Sequence, residues 1–202
     1  IAAYKTCEVV SRLRKLGADV HVIMTKHAAE FVRPLTFETL SNNPCVSDMF
    51  RRETEWEVEH ISLAKKADLF VVAPATANFV GKYANGIADD MLTTTVMATR
   101  APVLIAPSMN EGMLTSRGFE RNLATLRQWG VFVADGESGF LACGDNGKGR
   151  MAEPQAIADA VCKLLCEKRD FEGKRVLVTA GATIEKLDSV RFITNFSSGK
   201  MG

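Results

Sequence analysis

The chain has 202 residues, and 47% of them are hydrophobic, which suffices for a packed core and argues against a disordered chain. Its 25 basic and 24 acidic residues leave a net charge of +1, so the composition indicates no basic surface for nucleic acid or an anionic membrane. No apolar run approaches the roughly 18 residues that a membrane-spanning helix needs. The five cysteines contain no Cys-x-x-Cys pair, and we expect free thiols in the reducing cytoplasm.

The chain alternates between short apolar runs and longer amphipathic segments. Continuous runs such as Leu69–Val72 are typical of strands that are buried on both faces. We predict strands over 19–25, 68–73, 103–106 and 131–134. We predict helices from the start of the chain to Gly17 and over 26–32, 34–41, 57–66, 77–84, 89–99, 116–129 and from Pro154 onward. This order predicts the α/β fold class, with a doubly wound, Rossmann-like (flavodoxin-like) parallel sheet and helices on both of its faces.

The two ends of the first domain differ from the alternating pattern. An α/β domain normally opens with a strand, but here a helical pattern starts at once with Ile1–Lys5. We therefore expect that the first strand and its glycine turn are missing from the sequence. Residues 135–153 are rich in glycine and poor in apolar side chains, which is typical of a long functional loop rather than of core.

The pattern restarts after the charged run Glu167–Asp170. Residues 174–181 are typical of a new first strand that leads into a glycine turn, and residues 188–202 follow without a helical pattern. About 30 residues cannot bury a core of their own. We therefore predict a domain over residues 1–168, followed over residues 169–202 by a linker and the truncated start of a second domain.

The polar run Pro107–Met113 directly follows the strand predicted over 103–106. Ligands of an open α/β sheet bind outside the carboxyl ends of its strands, so we expect this run in a binding site. The side-chain amide of Asn110 can donate to a carboxylate while remaining neutral. The alternative is that Asn110 caps a helix that begins at Glu111, a position that asparagine often fills.

Four motifs together resemble those of one enzyme family: Pro-x-Met-Asn-x-x-Met at 107–113, His60 within Glu59–Ala64, the loop Ala73–Asn78, and the glycine-rich loop Ala142–Met151 around Cys143. In this order and spacing they resemble the homo-oligomeric flavin-containing cysteine decarboxylases, and among them phosphopantothenoylcysteine decarboxylase of coenzyme A biosynthesis. Residues 169–202 resemble the start of phosphopantothenate–cysteine ligase, which in many bacteria is fused behind the decarboxylase. The resemblance covers essentially the whole chain.

The resemblance implies FMN as the cofactor and 4'-phosphopantothenoylcysteine as the substrate. A carboxylate next to an amide nitrogen offers no electron sink when carbon dioxide leaves, so the family first uses the flavin to oxidise the cysteine CH2–SH carbon. The resulting thioaldehyde loses carbon dioxide to give an enethiolate, which is then reduced and protonated to 4'-phosphopantetheine. The resemblance also implies self-association, as a trimer or a dodecamer of trimers.

The resemblance assigns catalytic roles to three residues. His60 would be the base, because the start of a helix disfavours the charged imidazolium form; the alternative is a surface histidine on an amphipathic helix. Cys143 would protonate the enethiolate from an exposed loop; the alternative is a loop cysteine without a role. Asn110 would hold the carboxylate of the substrate.

The same motifs imply the other contacts of the site. We expect the substrate to contact Asn110, Met113, Gly147, Lys148, Arg150 and Met151. We expect the flavin to contact Thr25, Pro74, Ala75, Thr76, Asn78, Asp90 and Ser108. The alternative for Pro74–Asn78 is an ordinary strand-to-helix turn with Asn78 as its cap, and for Lys148 and Arg150 it is a solvated charge. Leu114 stands where the family often has an aromatic residue, which alters one wall of the expected substrate pocket. No metal site is predicted.

In the second part of the chain, Arg191 and Asn195 match positions in a motif of the ligase. The nucleotide-binding and lysine-rich parts of that ligase are absent from the 202 residues, so we expect no ligase activity from this chain. Other functions stay open: a flavin prenyltransferase of the same fold, a peptidyl-cysteine decarboxylase, or a non-catalytic flavin-binding regulatory protein. A nicotinamide dehydrogenase is the general alternative for a Rossmann-like fold.

Overall fold

The computed structural model of the chain describes residues 1–47, 59–136, 139–140, 146–166 and 173–198. The chain divides into two units, Ile1–Cys166 and Glu167–Gly202. The described helices of the first unit are α1 (Ala3–Lys15), α2 (Lys26–Ala29), α3 (Pro34–Ser41), α4 (Glu59–Lys66), α5 (Ala77–Ala84), α6 (Met91–Ala98), α7 (Glu111–Leu114), α8 (Arg117–Gln128) and α9 (Pro154–Leu165). Its described strands are β1 (Val22–Ile23), β2 (Cys45–Val46), β3 (Phe70–Ala75), β4 (Val103–Pro107), β5 (Phe132–Val133), β6 (Gly139–Phe140) and β7 (Asn146–Gly147).

The main sheet of the first unit is parallel and has the order β3-β4-β5. Its central strand, β4, is buried along its whole length, and Ile105 and Ala106 are 0% exposed. A second parallel pair is formed by β1 and β2. The continuous apolar runs of the sequence therefore form strands that are covered on both faces, as predicted.

Successive side chains of a strand point to opposite faces, so the apolar strands make both faces of the main sheet apolar. Helices cover both of these faces. On one face, Val103 and Ile105 pack into a core cluster with side chains of α5, α6 and α8. On the other, Leu104 and Ala106 pack into a second cluster with side chains of α1 and α9. This arrangement confirms the predicted doubly wound α/β fold.

A cavity of about 620 Å³ lies between the main sheet and the β1–β2 pair. Its lining includes residues 20–25 around β1, residues 69–74 of and around β3, and side chains of α1. Within the described residues, β1 pairs with β2 and β3 pairs with β4, but β1 and β3 do not pair with each other. A strand in this space would have a partner on each side, but the expected additional strand stays a prediction.

The structure differs from the sequence-based prediction mainly in short elements. The strand predicted over 19–25 is limited to Val22–Ile23, and β2 was not predicted because two residues show no periodicity. The segment predicted as one loop over 135–153 contains an antiparallel pairing of β6 with β7. Residues 57–58 of the predicted fourth helix lie outside the described residues.

In the second unit, β8 (Ile184–Lys186) and β9 (Phe192–Thr194) form an antiparallel pair. The strand predicted over 174–181 is wrong, because the described residues of that segment pair with no other strand. Its apolar side chains are exposed, and Leu177 reaches 89%. An apolar run becomes a strand only where a partner strand and a covering layer are available.

None of the helices in the described residues combines the length and the apolar run that a crossing of the membrane requires.

Candidate active site

The carboxyl ends of β3 and β4 meet at one edge of the sheet. The backbone N–H of Ser108, directly after β4, donates to the carbonyl oxygen of Ala75 at the end of β3, at 3.0 Å. Thr76 follows β3 and caps α5, because its Oγ1 accepts from the N–H of Phe79 at 3.2 Å. We call residues 74–76 and 107–110 the strand-end edge. The fold therefore brings two of the predicted binding motifs together.

Three of the predicted flavin residues line the cavity beside this edge: Thr25, Pro74 and Thr76. Thr25 caps the helix that follows β1, as Thr76 caps the helix that follows β3, and its Oγ1 accepts from the N–H of Ala28 at 3.2 Å. In both caps the oxygen accepts, so the hydroxyl proton is not used by the cap. Both hydroxyls are therefore suited to donate to an anionic group in the cavity.

The other predicted flavin residues are not part of that lining. Ala75 is fully buried in the core, and Ser108 is half-buried at the strand-end edge. Asn78 is exposed on α5, and the alternative that it caps this helix is wrong because Thr76 is the cap. Their predicted contacts with a flavin stay predictions.

Asp90 forms a capping box at the start of α6. Its Oδ1 accepts from the backbone N–H of Thr93 at 2.8 Å and from the Thr93 hydroxyl at 2.7 Å, and the N–H of Asp90 donates back to that hydroxyl at 3.1 Å. The pair satisfies two N–H groups at the helix start that have no helical partner. The geometry therefore gives Asp90 a structural role, and its predicted flavin contact stays a prediction.

Asn110 is exposed at the end of the strand-end edge and caps α7. Its Oδ1 accepts from the backbone N–H of Gly112 at 2.9 Å, so the capping alternative is confirmed. A cap through Oδ1 is compatible with donation from the Nδ2 group, because the two atoms are separate. Met113 is 50% exposed on α7, whereas Leu114 packs against the core.

The hairpin strand β7 and the residues after it lie against the turn at Asn110. The backbone N–H of Met109 donates to the carbonyl oxygen of Gly149 at 3.0 Å. Gly149 is buried with φ of +131°, a conformation that L side chains rarely adopt, and a Cβ there would overlap the Met109 carbonyl oxygen. Only glycine permits this approach of two backbones, so the glycine-rich segment and the Asn110 turn form one site.

Arg150 lies on the other side of the hairpin. Its guanidinium packs over Gly139 of β6, where a Cβ would come within 2.7 Å of Nη1. Its Nη2 lies 3.5 Å from Oε1 of Glu153, which also accepts from Nζ of Lys5 at 2.9 Å. The Lys5 ammonium holds the pKa of Glu153 below its ordinary value, with a smaller contribution from Arg150. The predicted substrate residue Arg150 is thus tied to α1 and α9 by charge.

The remaining predicted substrate residues differ in exposure. Lys148 is exposed, and Gly147 is half-buried at the end of the hairpin. Met151 is 2% exposed and packs into the core cluster against α1 and α9. A contact of Met151 with a substrate stays a prediction, and its position indicates that it anchors the segment after the hairpin.

No contact between described residues joins the predicted base, His60, or the predicted acid, Cys143, to the Asn110 turn and the hairpin. His60 is half-buried as the second described residue of α4, a helix that packs against α6. No hydrogen bond or ion pair between described residues links His60 to the Asn110 turn or to the hairpin. Cys143 lies outside the described residues. Both catalytic roles therefore stay predictions.

In the second unit, the predicted ligase residues flank β9. The side-chain Nε of Arg191 donates to Oδ2 of Asp188 at 2.6 Å, and both side chains are at the surface. Asn195 follows β9 and is exposed. The described geometry leaves their predicted roles open.

Sequence reasoning missed three residues that hold the site together: Lys5, Glu111 and Glu153. Glu153 stands just before Pro154, and an acidic residue before a proline at a helix start is a signal that was available. Lys5 and Glu111 gave no such signal, because their partners are 148 and 37 residues away in the chain.

Comparison with known proteins decides the family. Residues 1–166, most of the chain, match the family described as Flavoprotein. The chain belongs to the flavoprotein family. Residues 171–202 match the DNA/pantothenate metabolism flavoprotein C-terminal domain. The predicted family is thereby confirmed.

Curated relatives match along the whole chain. The coenzyme A biosynthesis bifunctional protein CoaBC of Bacillus subtilis (strain 168) is 50% identical over 204 residues, which cover 100% of this chain and 50% of that protein. The protein of the same name from Haemophilus influenzae is 46% identical over 202 residues, with the same coverage of both chains. The chain thus spans about half the length of the curated relatives it matches.

Solved structures share the fold. A mutant PPC decarboxylase complexed with pantothenoylaminoethenethiol is 30% identical with a TM-score of 0.70, over 79% of this chain and 90% of that one. The FMN-dependent cysteine decarboxylase SpaF is 31% identical with a TM-score of 0.71, over 82% and 92%. The FMN binding protein AtHal3 is 29% identical with a TM-score of 0.69, over 87% and 93%. These neighbours and the family support a flavin as the cofactor.

Proposed function

We propose that the first unit catalyses FMN-dependent oxidative decarboxylation of 4'-phosphopantothenoylcysteine to 4'-phosphopantetheine, a step of coenzyme A biosynthesis. One observation carries the proposal. At the end of the buried strand β4, Asn110 stands beside a glycine-rich hairpin that is bonded to it through Met109 and Gly149. The match to CoaBC proteins and the likeness to a PPC decarboxylase support the substrate class.

The residues present fit FMN. The cavity extends from the gap between β1 and β3 to the strand-end edge, and only the part at this edge, outside the carboxyl ends of the strands, would take the cofactor. Its strand-end part combines the apolar ring of Pro74 with the hydroxyls of Thr25 and Thr76, which suits a planar ring system that carries a phosphate. When bound, the flavin supplies the two-electron oxidation and reduction that the protein side chains cannot supply.

The neutral amide of Asn110 suits a site in which a carboxylate must be held and then lost. A cation would stabilise the carboxylate in the ground state and so raise the barrier to its loss. An amide N–H orients the carboxylate without that penalty. We assign this role to Asn110, and Met113, half-exposed one turn further on, would contact the apolar part of the substrate.

Proton transfers complete the reaction. We assign the removal of the substrate proton to His60, because an imidazole nitrogen can accept a proton, and the protonation of the enethiolate to Cys143. Lys148 and Arg150 follow the hairpin and supply two positive charges for the phosphate of the substrate. Self-association as a trimer or larger assembly and a cytoplasmic location also belong to this proposal.

A second candidate function is decarboxylation of a peptidyl cysteine, which the likeness to SpaF favours. A third is flavin binding without catalysis, which the likeness to AtHal3 favours. The match of residues 171–202 to a pantothenate-metabolism domain favours the coenzyme A function over both.

The decisive experiment tests cofactor, substrate and base together. The purified protein should be yellow and release FMN, not FAD, on heating, and it should release carbon dioxide from 4'-phosphopantothenoylcysteine but not from a cysteine-terminated peptide. His60→Asn should keep the flavin and lose carbon dioxide release, because it removes the base without removing bulk. Decarboxylation by this variant at the rate of the unchanged protein would rule out His60 as the base.

A second variant separates the two halves of the reaction. Cys143→Ser replaces a thiol with a far weaker acid of similar size, so carbon dioxide should still be released while protonation stalls. An enethiol product two hydrogens lighter than the saturated thiol should then accumulate, and mass spectrometry detects it. If only the saturated thiol forms, at an undiminished rate, Cys143 is not the proton donor.

A further inference from the structure

Glu111 reaches from the Asn110 turn to the hairpin. It is the first residue of α7, directly after Asn110, and its side chain is half-buried. Its Oε1 accepts from the backbone N–H of Lys148 at 3.4 Å, and its Oε2 occupies the space into which a Cβ of Gly147 would project. The carboxylate therefore contacts two consecutive backbone units at the end of β7.

A backbone contact lies directly beside the contact of Glu111 with Gly147 and Lys148. Met109, on the other side of Asn110, donates its N–H to the carbonyl oxygen of Gly149. Residues 109–111 and 147–149 thus lie side by side, and Asn110 is at the centre of the first segment. Any displacement of the hairpin relative to this turn would change its distance from the Asn110 amide.

The two contacts differ in what fixes them. The Met109–Gly149 bond is between backbones and depends on the absence of a Cβ at Gly149. The Glu111 contact depends on a side chain, and a charged oxygen facing an N–H group makes a stronger bond than a neutral one. At 3.4 Å on the surface the bond contributes little to stability, but it removes a degree of freedom between the two segments.

We propose that Glu111 is a positioning residue of the decarboxylase site. Its carboxylate fixes the end of β7 against the Asn110 turn, so that the residues carried by the hairpin meet the substrate whose carboxylate Asn110 holds. The proposal rests on the proposed function for its consequence in catalysis, but the contact itself is testable without any substrate.

Four variants test the contact. Glu111→Gln keeps the length of the side chain and one acceptor oxygen, whereas Glu111→Ala removes the acceptor. Gly147→Ala introduces a Cβ where Oε2 lies, and because the obstacle is the end of a flexible side chain, it displaces the carboxylate at little steric cost. The double variant Glu111→Ala with Gly147→Ala should therefore behave like either single alanine variant. Glu120→Ala, exposed on α8, is the control.

The first readout is hydrogen exchange of the Lys148 amide in the FMN-loaded protein. Glu111→Ala, Gly147→Ala and the double variant should each speed this exchange by about twofold to fivefold, at most the factor for one ordinary net hydrogen bond. Glu111→Gln should retain most of the protection, and Glu120→Ala should retain all of it. Unchanged exchange in Glu111→Ala would overturn the contact.

The second readout is turnover of 4'-phosphopantothenoylcysteine. We expect kcat to fall by roughly tenfold to a hundredfold in the three alanine variants, the cost of a small misplacement of catalytic groups, with FMN binding near that of the unchanged protein. KM should stay near that of the unchanged protein in Glu111→Ala, the variant that leaves the predicted substrate contact Gly147 in place. Glu111→Gln should restore most of kcat. Additive losses in the double variant would overturn the proposal, because the residues would then not act through one contact. If the unchanged protein itself releases no carbon dioxide, the proposed function fails, while the exchange of Lys148 still decides the contact.

Discussion

The strand-end edge and the glycine-rich hairpin carry the predicted site residues in different ways. The edge continues strands that are covered on both faces, and Ala75 within it and Ala106 directly before it are completely buried. The hairpin docks through a backbone contact at Gly149, through the Glu111 side chain at Gly147, and through charged side chains that are partly exposed. The same site therefore has one half fixed by the core and one half fixed by a few close approaches.

Because of this difference, we expect changes in the two halves of the site to affect different properties, stability in one and turnover in the other. Core packing spreads its energy over many contacts, so a defect there lowers the stability of the whole unit. Contacts of the hairpin involve few atoms, and a defect there leaves the core intact while it moves the groups that the hairpin carries. We expect core variants to lose stability first and hairpin variants to lose turnover first.

The largest expected effect on stability is in the core behind the edge. Ile105→Ala removes three carbons from a fully buried position at the centre of β4 and should lower the free energy of unfolding by about 2–5 kcal/mol. Ile105→Val, the matched control, should lower it by about 0.5–1.5 kcal/mol. Urea denaturation measures both. The comparison predicts that the folded fraction of either variant keeps a normal kcat, and a selective loss of kcat in Ile105→Val would contradict it.

The next effect is expected at the hairpin. Gly149→Ala forces an alanine into φ of +131° and a Cβ against the Met109 carbonyl, so the strain should lower the free energy of unfolding by about 1–3 kcal/mol. Because the hairpin must move away from Asn110, kcat should fall by roughly tenfold to a hundredfold. Gly130→Ala is the control: its φ is also positive, at +85°, but nothing lies within 4 Å of its Cβ. It should destabilise by about 1–2 kcal/mol and leave kcat unchanged.

The division between core and hairpin also explains what the sequence could predict. Continuous apolar runs predicted strands β3 and β4. The binding motifs at their ends were predicted because ligands of open α/β sheets bind outside the carboxyl ends of the strands. The cap at Asn110 followed from residue type alone. These features depend on neighbouring residues in the chain or on burial, and both produce a recognisable pattern of residue types in the sequence.

The hairpin leaves no such pattern. Gly139 and Gly147 pair across β6 and β7, but a glycine-rich segment has no alternation of apolar and polar residues. The roles of Glu111 and Glu153 depend on where that segment folds back, which the sequence does not specify locally. The strand wrongly predicted over 174–181 shows the opposite case, since a clear apolar pattern forms no strand without a partner among the described residues.

A smaller effect is expected at a helix cap beside the edge. Asp90→Ala removes the acceptor of the capping box on α6 and should lower the free energy of unfolding by about 0.5–2 kcal/mol. Asp90→Asn keeps a good cap but removes the charge, so its stability should stay close to that of the unchanged protein. Thermal denaturation measures the stability, and fluorescence titration measures the affinity for FMN. A loss of FMN affinity in Asp90→Asn without a loss of stability would show that Asp90 contacts the flavin as well.

The smallest effect concerns the ion pairs behind the hairpin. The hydrogen bond and charge of Lys5 hold the pKa of Glu153 below its ordinary value of 4.5. A carboxyl with a lowered pKa in the folded state adds stability above its unfolded pKa and loses it as the pH falls through the folded pKa. The difference in stability between the unchanged protein and Glu153→Gln should therefore be fully present at neutral pH, should begin to fall below about 4.5, and should vanish once the pH is below the lowered pKa of the folded state.

Because the Glu153 side chain is half-exposed, solvent screens the pair and the difference should be small. Lys5→Met removes the main partner and should abolish most of the pH-dependent difference, whereas Arg127→Met removes a cation of the exposed pair with Asp135 and should leave it in place. Urea denaturation across the acid range, in the presence of salt and without it, measures the effect. A difference that persists undiminished in acid would mean that Glu153 stabilises the segment by packing rather than by charge, and the hairpin would then resemble the edge more closely than we propose.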